Sequence, residues 1–259
     1  MKKTFYNICS DSFKKHLRLA LVSDLHAQGY EDIIESLIEI NPDYILLGGD
    51  IFERLDGSFH EKNKKVFGFL FEVAKIAPSF YCTGNHEDGS TKSELKGVKS
   101  FRGMGHSYRE DYLAKIKESG VHFLLDSYEI FDGIAFGGLA SGLCSASGEP
   151  SLKFLQKFSE LREPKILISH HPEYFEKYIK NTPIELTVSG HAHGGQWELF
   201  GRGLYAPGQG FFPKYTAGVY DNRLVVSRGL KRTVIPPRIF NPRELVIIDI
   251  NSKNEEKNK

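Results

Sequence analysis

Apolar and polar positions follow a repeating order along this chain. A short apolar run comes first, then a polar or glycine-bearing turn, then a stretch whose apolar residues recur at helical spacing. The first run, Leu17 to Val22, ends at Ser23 and Asp24. Ile33, Ile34, Leu37 and Ile38 then read as one face of a helix, which Asn41-Pro42 stops because a residue preceding proline is pushed out of the helical region. Tyr44 to Leu47 is the second run and ends at Gly48-Gly49-Asp50. A second helix is expected from about Lys62 to Ala77, with Val66, Phe69, Leu70 and Val73 facing inward, followed by the run Phe80-Tyr81-Cys82 and the turn Thr83-Gly84-Asn85-His86. Alternation of this kind predicts parallel strands joined by crossover helices, and hence an α/β core.

The second half is less regular. Residues 89–105 read as a long loop beside an active site, Tyr108 to Ser119 as a helix with Gly120 just past its end, and Phe123 to Leu139 as strand, turn, strand. Helical spacing returns at Leu152, Leu155, Phe158 and Leu161. Two further runs end at Ser169-His170-His171-Pro172 and at Ser189-Gly190-His191. Trp197 to Ile250 is broken by Gly and Pro, and is expected to be an antiparallel portion completing a second sheet. No internal repeat or linker interrupts the pattern, so one domain over residues 1–250 and a polar tail over 251–259 are expected.

Composition narrows the function. With 34 basic and 33 acidic residues the net charge is +1, too balanced for a protein that holds nucleic acid by displacing counterions, so no stable nucleic-acid partner is expected. Cys9, Cys82 and Cys144 are odd in number and widely spaced, which fits neither a disulfide framework nor a zinc cluster and suggests a reducing compartment. Cys82 is expected to be a buried thiol. Residues 1–15 lack the apolar segment of a signal peptide, and no run approaches the roughly 20 apolar residues that span a bilayer. The expected location is therefore cytoplasmic, with peripheral contact as the form of membrane association left open.

The chemistry gathers at the turns. Five of them follow apolar runs and carry Asp24 with His26, Asp50, Asn85 with His86, His170 with His171, and His191 with His193. Loops at the carboxyl ends of strands converge on one crevice in open α/β sheets. Mixed oxygen and imidazole donors suit manganese, iron or zinc. A carboxylate can bridge two cations, and two cations about 3.5–4 Å apart can hold both the attacking and leaving oxygens of an in-line displacement. Taken singly, each turn has an ordinary explanation: Ser-Asp as a helix cap, Gly-Gly-Asp and Gly-Asn-His as tight turns, His-His-Pro as a surface loop. Five together, in this order, are hard to explain so.

The fragments Asp24-Leu25-His26, Gly49-Asp50, Gly84-Asn85-His86-Glu87, His170-His171-Pro172 and Gly190-His191-Ala192-His193 resemble the signature blocks of the calcineurin-like metallophosphoesterase superfamily. Gly194-Gly195-Gln196, residues 205–210, Tyr215-Thr216-Ala217-Gly218 and Ser227-Arg228-Gly229-Leu230 resemble a narrower bacterial subgroup, the YkuE- and YaeI-like phosphohydrolases. Members of that subgroup often carry an export signal or membrane segment, which residues 1–15 do not resemble.

The resemblance implies a four-layer α/β/β/α sandwich of two packed mixed sheets flanked by helices. It also implies two divalent metal ions, manganese being favoured over iron and zinc. One metal would be held by Asp24, His26 and His193, the other by Asn85, His170 and His191, with Asp50 bridging them. His86 would protonate the leaving oxygen or contact the phosphate, and His171 would sit beside the ligands. The implied reaction is hydrolysis of a phosphodiester, phosphomonoester or pyrophosphate by in-line attack of a metal-bridging hydroxide. The substrate would be a small or lipid-like phosphorylated molecule, a lipid-linked or nucleotide-sugar pyrophosphate being the alternative. Glu87 and Asp88 are read as holding their turn, the alternative being that they orient His86. Gly48, Gly49, Gly84, Gly190, Gly194 and Gly195 are read as permitting positive φ or close approach to a bound phosphate.

Outside the turns, Arg102, His106, Tyr108 and Arg109 are candidates for contacting the rest of a substrate. Phe211-Phe212-Pro213 with Tyr215 is expected to pack in the core, the alternative being an apolar lip. An amidohydrolase is disfavoured, because its His-x-His comes early rather than last. A scaffold without chemistry is disfavoured because every motif position holds a competent residue.

Overall fold

The apolar runs form strands and the helical-period stretches form helices in a computed structural model, which describes residues 1–55, 57, 59–88, 108–142, 149–199, 202–232 and 237–251. In chain order the strands are β1 (Lys2–Cys9), β2 (Leu17–Val22), β3 (Tyr44–Leu47), β4 (Ser79–Tyr81), β5 (His122–Phe123), β6 (Ser127–Phe131), β7 (Ile134–Leu139) and β8 (Lys165–Ser169). They continue with β9 (Leu186–Ser189), β10 (Glu198–Leu199), β11 (Arg202–Gly203), β12 (Tyr205–Ala206), β13 (Gly210–Phe211), β14 (Gly218–Tyr220), β15 (Leu224–Val226) and β16 (Glu244–Asn251). The helices are α1 (Glu31–Ile40), α2 (His60–Ile76), α3 (Glu110–Glu118) and α4 (Leu152–Ser159).

Two six-stranded mixed sheets result, in the orders β1-β16-β2-β3-β4-β5 and β14-β15-β9-β8-β7-β6. Their central strands β2, β3 and β4, and β7, β8, β9 and β15, run parallel, as crossover helices require. Leu17, Leu19 and Leu21 of β2 face Ile166, Ile168 and Val188 of the opposite sheet, while Ala20 and Val22 face α1 and α2. Both faces of the strand are buried, so its apolar run is continuous rather than alternating. Phe80 and Phe136 stack between the sheets with centroids 3.8 Å apart. On the far side, Phe154, Leu155 and Phe158 of α4 cover Ala135, Leu167 and Leu224. The layers are helix, sheet, sheet, helix, the sandwich that the motifs implied.

Local chemistry sets the helix ends. Asn41 closes α1 in the left-handed region (φ 49°), its N–H donating to the Leu37 carbonyl. The Ser151 side chain caps α4 by accepting from the Phe154 N–H. Within α1, Ile33, Leu37 and Ile40 are buried and Ile38 faces solvent, because a 3.6-residue turn places positions four and seven residues on above the first.

Three parts differ from the sequence expectation. Residues 2–9 form a strand paired along its length with β16. The segment after Trp197 is divided: β14 and β15 extend the second sheet, β10 to β13 form two small hairpins, and β16 enters the first sheet between β1 and β2. Leu245 to Ile248 are buried on both faces, and a strand of that kind belongs inside a sheet. Asn251 is the last residue of β16, opposite Cys9, so the tail cannot begin there, and residues 252–259 lie outside the described residues, as does the loop expected over 89–105. Cys82 is fully buried with a free thiol. No helix among the described residues is long and apolar enough to cross a membrane.

Candidate metal centre

The five turns meet at one edge of the sandwich, where the carboxyl ends of β2, β3 and β4 oppose those of β8 and β9. Backbone bonds continue the β2–β3 pairing past the strands: Asp24 N–H donates to Gly49 (3.0 Å), His26 to Asp50 (2.8 Å) and Ala27 to Ile51 (2.9 Å). Two contacts tie the sheets together here. The His191 N–H donates to Asp24 Oδ1 (3.0 Å), and His170 Nδ1 lies 2.7 Å from the Gly48 carbonyl.

The turns are tight enough to force unusual backbone. Asp24, His26, Asp50, His191 and His193 all lie in the left-handed region, with φ between 46° and 64°. Non-glycine residues enter that region at a cost of about 1–2 kcal/mol each. Gly84 is required for a different reason. A Cβ there would lie 2.3 Å from Asp50 Oδ1 and 2.7 Å from the Asp50 backbone nitrogen. Gly190 likewise leaves room for Ser23 Oγ, 1.9 Å from where its Cβ would be. These two glycines make space for protein side chains, not for a bound phosphate as the sequence suggested, because the turns interlock with one another first.

Four groups of donor atoms result among the described residues, and two of them consist wholly of predicted ligands. Asp24, His26 and His193 form one, and Asp50, His170 and His191 the other; within each group the atoms lie within 4.8 Å of one another. His193 Nε2 is 3.5 Å from Asp24 Oδ1, His26 Nε2 is 3.7 Å from Asp50 Oδ2, and His170 Nε2 is 3.3 Å from the same oxygen. Ligands about 2.1 Å from a shared cation at a tetrahedral angle stand about 3.4 Å apart. Asp50 thus faces donors of both groups. Asn85 is half-buried in the turn after β4, between Gly84 and His86.

Both ring nitrogens of His26, and His170 Nε2, are buried without a hydrogen-bond partner. Orphaned buried nitrogens are costly, and a cation would satisfy them. With Nδ1 of His170 committed to the Gly48 carbonyl as donor, Nε2 carries the lone pair. Burial depresses the pKa of His26 and of His191, and lowers that of His193 to about 4, so these rings are neutral and able to ligate. Burial also opposes protonation of His170, but the facing Asp50 carboxylate outweighs it and raises this pKa to about 10. A cation between the two would take the place of that proton. The donor set fits divalent metal.

His86 lies beside these two groups and forms a third with His26 and Glu53, whose donor atoms are also within 4.8 Å of one another. Its ring meets His26 edge to face at 4.4 Å, and its Nδ1 is 2.7 Å from Glu53 Oε2. Burial works against its protonation, yet Asp50 and Glu53 together raise its pKa. Glu53 also accepts from Lys62 at 2.6 Å. The sequence reading stopped at Asp50 and missed Glu53, although a carboxylate three residues on in a turn is placed to fold back. It also missed Glu173, 3.5 Å from His171, and Arg238, whose Nη2 lies 3.3 Å from His193 Nδ1. Only the return of the chain into β16 brings Arg238 here, and nothing local announces it.

Glu87 is buried under the turns. One oxygen accepts from the Asp50 and Gly84 N–H groups (2.9 and 2.8 Å), the other from the Phe52 N–H and the Tyr81 hydroxyl (both 2.9 Å). Burial and then the Asp50 charge push its pKa up, against the pull of these donors. Asp88 accepts from the Tyr108 hydroxyl and from the Ser141 N–H at 3.1 Å. Both acids hold the turn. His171 is buried 2.9 Å from Ser141 Oγ, its ring 4.3 Å from that of His191.

The substrate-contact candidates separate. Arg109 pairs with Asp111 on the surface, and Arg102 and His106 lie outside the described residues. Tyr215 is core, as expected, whereas Phe211 and Phe212 are 76% and 80% exposed. Phe211 ends the short β12–β13 hairpin, opposite Tyr205, and Phe212 follows it.

A model of the calcineurin-like phosphoesterase family matches residues 17–195, from β2 through the last turn of the centre. Three curated proteins are similar over much of the chain. Phosphodiesterase YaeI of Escherichia coli (strain K12) is 29% identical over 194 residues, covering 71% of this chain and 58% of that one. A protein described as an uncharacterized metallophosphoesterase of Helicobacter pylori (strain J99) is 24% identical over 260 residues, covering 95% of this chain and 62% of its own length. A third, described as the uncharacterized metallophosphoesterase YkuE of Bacillus subtilis (strain 168), is 27% identical over 254 residues, covering 94% and 81%. The chain spans about six-tenths of the first two relatives.

Proposed function

The chain belongs to the calcineurin-like phosphoesterase family, and from that premise we propose that it hydrolyses phosphoesters with two divalent cations. The observation that carries this reading is the pair of donor groups that Asp50 faces, with buried imidazole nitrogens that lack a hydrogen-bond partner. In it, Asp24, His26 and His193 hold one cation, Asn85, His170 and His191 the other, and Asp50 faces both. Bound cations supply positive charge to the phosphoryl oxygens and lower the pKa of water. Mixed oxygen and imidazole donors without thiolate suit manganese, iron or zinc, of which the family resemblance favours manganese.

The chain's own residues do the rest. Glu53 holds Nδ1 of His86, which leaves Nε2 to hand a proton to the departing alkoxide, a poor leaving group without one. Glu87 keeps the Asp50 and Gly84 turns in register. The name of the YaeI relative favours a diester over a monoester or pyrophosphate. A lipid-like substrate is the second reading, favoured by the exposed Phe211 and Phe212.

The test is hydrolysis of bis-p-nitrophenyl phosphate by purified protein, with and without added manganese, together with metal analysis. Hydrolysis that rises with manganese supports the proposal. Protein that binds no metal and leaves the diester intact with manganese present overturns it.

A further inference from the structure

Two turns beside the metal centre present phenylalanine to solvent. Phe212 and Phe240 are 80% and 82% exposed, and each sits in the left-handed backbone region, at φ 53° and 54°. That conformation is rare for a bulky side chain, and an exposed ring gains no packing in return. Phe211 and Ile239 beside them are exposed as well. Outliers of this kind point to a use.

Hydrogen bonding places the two turns on one rim. The Phe212 N–H donates to Leu204 and the Leu204 N–H to Trp197, while Trp197 bridges Ile239. Three strand spacings of about 4.8 Å separate the turns by no more than about 15 Å. The rim joins the centre directly, since Asn241 donates to the His193 carbonyl at 2.5 Å.

Behind Phe240 runs a groove lined by Lys231, Arg232, Arg238 and Arg243. Asp32 approaches two of these, Arg232 and Arg243, which leaves the groove strongly basic. Exposed aromatic side chains beside clustered cations match an anionic bilayer surface, where rings enter the headgroup boundary and cations meet acidic lipids. A protein partner fits less well, because the apolar side chains stand on two separate turns with cations behind them rather than forming one continuous apolar patch.

We propose that the rim of Phe211, Phe212, Ile239 and Phe240, with the basic groove behind it, docks the protein on an anionic lipid surface. The metal centre then lies at the edge of the docked face. This inference rests on the rim and groove and holds whether or not the centre hydrolyses phosphoesters.

Co-sedimentation with vesicles tests it without substrate. The protein binds vesicles of phosphatidylcholine mixed with phosphatidylglycerol, binds phosphatidylcholine alone weakly, and is released by salt. The Phe211→Ser/Phe212→Ser double variant, Phe240→Ser and Arg232→Glu each bind on the order of tenfold more weakly, while unchanged thermal melting by circular dichroism shows that they fold. Failure to bind the acidic vesicles overturns the proposal, as does equal binding by wild type and all three variants. So does a rim that mediates self-association, seen as a dimer in light scattering that the phenylalanine variants lose while wild type ignores vesicles.

Discussion

Replacing Glu87 by glutamine alters one atom of a buried carboxylate to which four donors point. Its two oxygens each accept two hydrogen bonds, from Asp50 and Gly84 on one side and Phe52 and Tyr81 on the other. A glutamine amide has one oxygen, so its NH2 must face one of these pairs. The cheaper orientation turns NH2 toward Phe52 and Tyr81, because the tyrosine hydroxyl can rotate and accept. The Phe52 N–H is then left buried and unpaired, at about 1–3 kcal/mol. The Asp50 and Gly84 bonds survive but lose their charge assistance, at roughly 1 kcal/mol each. The expected loss is about 3–5 kcal/mol, a large share of the 5–15 kcal/mol typical of a domain. Tyr81→Phe removes one hydroxyl alone and serves as the reference, at about 1 kcal/mol. Urea unfolding followed by circular dichroism measures both at about pH 9, where the carboxyl is ionised although its pKa is raised to about 8. If Glu87→Gln cost no more than Tyr81→Phe, the argument would fail, and the upward push on this carboxyl from burial and Asp50 would have to have protonated it already.

The remaining predictions concern the centre itself. Asp50→Asn weakens both cation sites, so metal content by mass spectrometry falls and diester hydrolysis drops at least about 100-fold. His86→Ala leaves metal content unchanged and slows turnover about 10²–10⁴-fold, most with poor leaving groups; release of metal by this variant would make His86 a ligand instead. Gly84→Ala drives a methyl group into Asp50, and its metal affinity by titration calorimetry falls although no ligand has been altered. Affinity matching wild type would show that the turns can separate.

The meeting of the five turns was largely legible from sequence because each carries its polar residues directly after a strand. Asp24 and His26, or His191 and His193, need only the strand before them to be placed. Glu53 was equally local and was passed over, because carboxylates after a glycine turn are common on surfaces. Arg238 and β16 were a different matter. Their positions depend on residues 244–251 inserting between β1 and β2, a pairing between chain ends that no local pattern encodes. The exposed pair Phe211-Phe212 misled for a related reason: hydrophobicity predicts burial only when a neighbouring layer exists to receive the side chain.

The left-handed backbone at Asp24, His26, Asp50, His191 and His193 has a consequence for engineering. Glycine would relax the turn at each position. At Asp24 and Asp50 it would also strip the carboxylate that accepts from the His191 and His86 N–H groups, at about 1–3 kcal/mol for a donor left buried. A screen for thermostability alone would therefore meet its firmest resistance at the two aspartates, and any glycine it admitted at the three histidines would remove a donor nitrogen from the turn.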